Sequence, residues 1–193
     1  MEKFDIRDMT KGVDEALAVT TDPHHRAILK NYRRHGLLEV SGLWQEILSP
    51  AMTVDEPYYR IMFHDHTEVY DGMNAVRGLY SGLAAMDPML FGPIEEKIAV
   101  ADWGFAAESM FDVYLPGSEL TSIGLAVEDE DALHRARIPV AFFWHYTRDA
   151  RLIGENVYQD WGAAQIEVAD PSDLMSIAEA RKRLAPLLEN EPA

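Results

Sequence analysis

The sequence predicts an α+β fold, a cone-shaped, curved antiparallel sheet packed against three helices. Two observations predict it. Capped segments of helical period crowd the first half of the chain, interrupted by one strand-like run. From about residue 95 the pattern changes to long β-branched and aromatic runs, ending in a hairpin whose turn falls at 147–151. Helices laid on one face of such a sheet leave a mouth in which small-molecule pockets form.

Taken in order, residues 1–21 read as a leader that wraps the domain, with a short helix at 13–19. Asp22-Pro23 is a helix start, an N-cap residue followed by Pro at the first helical position. The helix runs through "HHRAILKNYRRHG", with Ile28, Leu29, Tyr32 and His35 toward one face and Gly36 as its C-cap. "LLEVSGLWQEILSP" reads as a second, shorter helix stopped at Ser49-Pro50. "EPYYRIMFH" is the early strand. "DGMNAVRGLYSGLAAM" is the third helix, ending at Asp87-Pro88. "EEKIAVADWGFAAESMFDVYLPG" is one long strand or two joined at Gly104, "LTSIGLAV" a short strand, and "ARIPVAFFWHYTRDARLIGENVYQD" the hairpin. A last helix over about 171–188 is capped by Asp170 and Pro171. The whole reads as one domain over 1–193, with its core at about 22–165.

Composition narrows the function. A net charge of -16, from 33 acidic and 17 basic residues, repels phosphate backbones and anionic membranes, so neither nucleic acid nor membrane is an expected partner. With no cysteine, thiolate metal sites, disulfides and a Cys nucleophile are excluded. The first residues lack the apolar core of a signal peptide, and no run approaches the roughly 18 apolar residues of a membrane span, so a cytoplasmic protein is expected. No dinucleotide fingerprint, P-loop or nucleophile elbow is present, which leaves acid–base chemistry without a cofactor.

Four constellations could carry that chemistry. His64 and His66 share a strand face and, with Asp71, make a possible divalent-metal trio; equally, they are a strand end turning into a capped helix. The early strand has two parities, Tyr59, Ile61 and Phe63 against Tyr58, Arg60, Met62 and His64, and either could face a pocket. Tyr59 or Arg60 would then stabilise an oxyanion. Asp102 and Glu108, among small residues on the long strand, are candidate bases if buried and wet-face residues if not. His145 sits among aromatic residues of the last hairpin, whose second strand carries Glu155, Tyr158 and Asp160.

"NYRRHGLLEVSGLWQEILSP", then "GMNAVRGLYSGL", then "DARLIGENVYQD" resembles the nuclear-transport-factor-like, or SnoaL-like, superfamily over about residues 22–165. The resemblance implies a cone (a cystatin-like α+β barrel) whose pocket is lined by the first helix, the early strand and the long strands. Tyr32 matches the helical Tyr that dehydratases of the superfamily use, but Leu37 stands where they place an Asp. Asp160 matches the carboxylate that its polyketide cyclases use as a base, with spacing after Glu155 one residue shorter. In length and texture the chain also looks like the sphingomonad diarylpropane lyases, which release formaldehyde from lignin-derived diarylpropanediols without a cofactor.

The expected activity is therefore a cofactor-independent lyase acting on a hydroxylated aromatic small molecule, with a stilbene as product. The alternatives are a dehydratase or isomerase of a polyketide or steroid, and a non-catalytic binding protein. Tyr32, Tyr59, Arg60, His64, Glu108 and Asp160 are the candidate site residues, with no metal or cofactor ligand among them. Resemblance and the aromatic last hairpin together imply a homo-oligomer, a dimer or trimer.

Overall fold

The Asp22 carboxylate accepts hydrogen bonds from the backbone N–H groups of His24 and His25, at 2.9 and 3.0 Å, and so starts the longest helix of the chain. This is a computed structural model, which describes residues 4–86, 90–190 and 192. The leader forms a 3₁₀ turn, Ile6–Thr10, that runs into α1, Lys11–Val19. The Asp22-capped helix is α2, Pro23–Val40.

Gly36 does not end it. Leu37, Leu38 and Val40 are all buried, and their burial outweighs the roughly 1 kcal/mol that a mid-helix glycine costs. The stop comes at Gly42, whose φ of +64° lets the Leu43 N–H return to the Leu38 carbonyl at 2.8 Å. The expected second helix shrinks to α3, Trp44–Ile47.

The early strand is β1, Thr53–Met62. A strand absent from the sequence reading follows it, β2, Thr67–Asp71, so the two histidines lie in a hairpin tip and not before a helix. Next come α4, Met73–Ala85, then β3, Phe91–Ala101, and β4, Gly104–Pro116. The expected stop at Asp87-Pro88 falls outside the described residues. The short strand expected at "LTSIGLAV" begins instead as α5, Gly117–Ser122, where Leu120 is buried and the Thr121 hydroxyl bonds back to the Gly117 carbonyl. A brief apolar run does not distinguish strand from helix.

The last hairpin is β5, Leu133–Tyr146, and β6, Leu152–Gln159. A further short strand, β7, Gln165–Val168, pairs with the start of β5. The final helix, α6, Ile177–Glu189, is capped by Ser176; Asp170 belongs to a separate 3₁₀ turn, Pro171–Asp173. Among the described residues, no helix is long and apolar enough to cross a membrane.

Sheet order is β2-β1-β6-β5-β4-β3. Every neighbouring pair is antiparallel except β1 and β6, which run parallel and bring the early strand beside the last hairpin. The α+β architecture is thus the expected one, a curled open sheet against helices. Its concave face carries aligned rows. One row reads Val100, Phe105, Trp144, Glu155, Tyr59 and Tyr70; the next reads Ile98, Ala107, Phe142, Val157, Ile61 and Glu68. Helix α2 lies over them. Helix α1 closes the β3 side so tightly that a Cβ on Gly12 would sit 2.6 Å from the Glu96 Cβ.

Candidate active site

Between the concave rows, α2 and α4 lies a cavity of about 630 Å³. Its walls are largely aromatic and aliphatic, including Phe63, Phe111, Phe142, Trp144 and Leu79, and four carboxyl residues line it, Glu39, Glu68, Glu119 and Glu155, of which Glu39 and Glu155 meet at one imidazole.

Local structure explains both. Tyr32, His35 and Glu39 are three and four residues apart on α2, so they share one helical face. Glu155 lies on β6 directly between Trp144 of β5 and Tyr59 of β1. The two faces meet at His35. Its Nε2 is 3.6 Å from Glu155 Oε1, 3.9 Å from Glu39 Oε2 and 2.7 Å from the Tyr80 hydroxyl. Tyr80 Oη is in turn 3.4 Å from Tyr59 Oη.

Burial dominates the electrostatics. It depresses the His35 imidazole to about 3, so the ring is neutral near pH 7 and its contacts with the two carboxyls are not ion pairs. Burial also pushes the Glu39 carboxyl up to about 8, although 20% of that side chain is open to the cavity. Glu155 is also raised, well above the usual carboxylate range, first by burial and then by the charge of Glu39, while the Tyr59 and Tyr80 hydroxyls act in the opposite sense. Among the described residues, Glu155 Oε1 is buried with no hydrogen-bond partner.

A third buried carboxyl stands further along the sheet. Tyr32 Oη donates to Glu96 Oε1 at 2.5 Å and Ser109 Oγ donates to the same oxygen at 3.2 Å. Burial raises Glu96 to about 7 against those two bonds. The Tyr32 ring packs against Phe105 and Trp144, with centroids 4.6 and 5.1 Å away, and lines the cavity.

The strand parity left open by the sequence is resolved by Tyr59, which is fully buried, while Tyr58 is exposed. Ile61 and Phe63, of the same parity, line the cavity, and Tyr59 lies behind its wall with its hydroxyl against Tyr80. Arg60 is on the outer face, its guanidinium 5.6 Å above the Tyr158 ring, and cannot reach an oxyanion inside. Glu108 also points outward, with 83% of its side chain exposed and Lys97 Nζ 3.7 Å away. Asp160 is exposed and caps the 3₁₀ turn Trp161–Ala163. Asp102 is exposed and bonds to His25, and His145 packs on the Trp103 ring.

His64 is exposed at the tip of the β1–β2 hairpin. His66 stacks on Phe63 at the cavity rim and bonds to Asp65. Asp71 pairs across from Tyr58, five strand positions from the tip, so the suggested metal trio is not assembled. Among the described residues, no three His, Cys, Asp or Glu side chains converge as metal ligands. Of the six sequence candidates, the fold brings Tyr32 and Tyr59 to the site. Sequence reasoning missed Glu39, Tyr80 and Glu96, and passed over His35 and Glu155. Their signal was the helical spacing of His35 and Glu39 and the buried parity of "IGENV".

No family model matches the chain, and no curated protein matches it. Solved structures with some likeness include Bal32a from a soil-derived mobile gene cassette, at 9% identity and a TM-score of 0.47, over 70% of this chain and 91% of that one. A protein of unknown function with a cystatin-like fold from Methylobium petroleophilum PM1 aligns at 12% identity and a TM-score of 0.43, over 75% and 85% of the two chains. The epoxide hydrolase/cyclase-like enzyme SalBIII, of pyran ring formation in the polyether salinomycin, aligns at 12% identity and a TM-score of 0.45, over 72% and 97%. Likenesses of this extent assign neither a family nor an activity.

Proposed function

We propose that the protein is a lyase that uses its own side chains as acid and base on a hydroxylated aromatic molecule, with a two-ring propane-1,3-diol as the best-fitting substrate class. One observation carries the reading: of the carboxyls on the wall of a largely apolar cavity, Glu39 and Glu155 are both raised by burial and both lie within 4 Å of one neutral imidazole. In two coupled carboxyls, loss of the first proton holds back loss of the second, so the form that has lost one proton contains one base and one acid. The sequence resemblance to diarylpropane lyases agrees with it.

Glu39, the more open of the two side chains, is the base once it has lost its proton, a loss that burial delays to about pH 8. It takes the proton of the substrate's primary hydroxyl. The bond between that carbinol carbon and its neighbour breaks and releases formaldehyde, and the electron pair forms the new carbon–carbon double bond. The benzylic hydroxyl leaves as water with the proton of Glu155. One proton is taken and one given, and the products are a stilbene, formaldehyde and water. His35, between the two carboxyls, carries the proton back, with Tyr80 holding the ring in place. Acid–base help of this kind gives about 10²–10⁴-fold.

The test is incubation of the purified protein with a 1,2-diarylpropane-1,3-diol, with stilbene absorbance and formaldehyde measured together. Equal amounts of both are expected. New conjugated absorbance without formaldehyde would replace the carbon–carbon step by a simple dehydration at the same groups. No product at all would overturn the lyase reading.

A further inference from the structure

We infer that the Gln159 carboxamide is a specificity contact for an oxygen substituent on the far ring of the ligand. The inference rests on the reading of the cavity as a two-ring site and names one feature of what it holds.

Glu155, Val157 and Gln159 alternate along β6, and all three line the cavity. The carboxyl and the carboxamide are four residues apart, so their backbones are separated by about 13 Å. Val157 and, beside it on β5, Phe142 fill the interval with apolar surface. A para-substituted aromatic ring with a hydrogen bond of about 2.9 Å at each end fits that interval.

The amide has a fixed sense. Trp161 Nε1, a group that only donates, gives its proton to Gln159 Oε1 at 2.7 Å. The oxygen is thereby turned to the indole. The NH₂ is left as the group available to a ligand, and among the described residues no hydrogen bond uses it. Gln159 pairs with Val140 across the hairpin, another apolar wall residue, so the carboxamide is a donor set in apolar surroundings. Such a donor recognises an acceptor oxygen, a methoxyl or a phenol, and disfavours a bare hydrocarbon ring. Phe63 and His66 at the hairpin tip, with Glu68 3.4 Å from His66, place this end of the cavity toward the rim, away from Glu39 and Glu155.

The experiment compares trans-stilbene with 4-methoxystilbene, both unreactive here, by quenching of tryptophan fluorescence. The wild-type protein is expected to bind the methoxylated probe about five- to tenfold more tightly, the worth of one hydrogen bond. Gln159→Glu keeps the acceptor for Trp161 and removes the donor, and Gln159→Leu removes both; each should bind the two probes alike. A preference that survives in both variants, or no preference in the wild type, overturns the inference. Neither probe carries a hydroxyl to lose, so this result stands apart from turnover. Failure of the lyase reading shows instead as a diol from which the wild-type protein releases no formaldehyde.

Discussion

Tyr80 Oη and His35 Nε2 meet at 2.7 Å in the interior, one from α4 and one from α2, and their contact locks the imidazole against the Glu155 carboxyl. The ring also packs on Trp144, with centroids 4.7 Å apart. A neutral imidazole held on two sides is a positioned group and not a mobile one.

Removing the proposed acid should stop the chemistry and spare the fold. Glu155→Gln keeps the shape of a buried carboxyl and loses its proton. A fall in kcat of about 10²–10⁴ is expected, with KM nearly unchanged. Steady-state kinetics on the diol, with circular dichroism as the control for folding, checks it.

Stability should fall between pH 6.5 and 8. The Glu39 carboxyl is raised from its ordinary value to about 8 in the folded state, so the native form holds a proton that the unfolded chain has lost. Its contribution is complete below pH ~4.5 and disappears as pH rises through 8. His35 works in the other direction, because its depressed value makes the unfolded chain bind more protons between about pH 3 and 6.5. Above 6.5 the carboxyl slope remains, and the raised Glu96 and Glu155 add to it in the same sense as Glu39. Urea midpoints across this range should decline for the wild-type protein and decline less for Glu39→Gln.

Tyr32→Phe should destabilise the fold by about 1–3 kcal/mol. It deletes the donor to Glu96 and leaves that buried carboxyl with Ser109 alone. Denaturant titration at pH 6 measures the loss, and the double variant Tyr32→Phe, Glu96→Gln should recover part of it.

Arg60→Ala and Glu108→Gln should leave kcat and KM within about twofold, since surface substitutions away from such features are close to neutral. Both side chains lie on the outer sheet face, away from the carboxyls. A large loss of turnover in either would mean that the outer face takes part in the reaction.

Gly78→Ala should stabilise the protein by up to about 1 kcal/mol, because the glycine sits inside α4 and an added Cβ meets nothing within 4 Å. A thermal melt is sufficient to see it.

Much of the fold was legible because it rests on local signals. Asp22-Pro23 marks the start of α2 through capping chemistry alone, and the turn at 147–151 separates two long apolar runs. The boundaries that failed depended on packing. Gly36 reads as a stop until Leu37, Leu38 and Val40 are seen to be buried. The site was less legible for the same reason. Both parities of β1 mix aromatic and polar residues, so nothing local says that Tyr59 faces inward and Arg60 outward. Glu39 and Glu155 are ordinary charged residues in the sequence, 116 positions apart, and only the parallel pairing of β1 with β6 under α2 makes them neighbours.

Helix α4 brings Gly78 and Gly82 to the cavity, each with open space where a Cβ would stand. The opposite wall, β6 with α2, carries Glu155 and Glu39. Bore and carboxyls are thus set by separate parts of the chain, joined through Tyr80, which points from α4 to His35. Substitutions on one turn of α4 can narrow the chamber for a slimmer substrate while the proton-handling groups across from it keep their places, so this scaffold can change its choice of molecule without relearning its reaction.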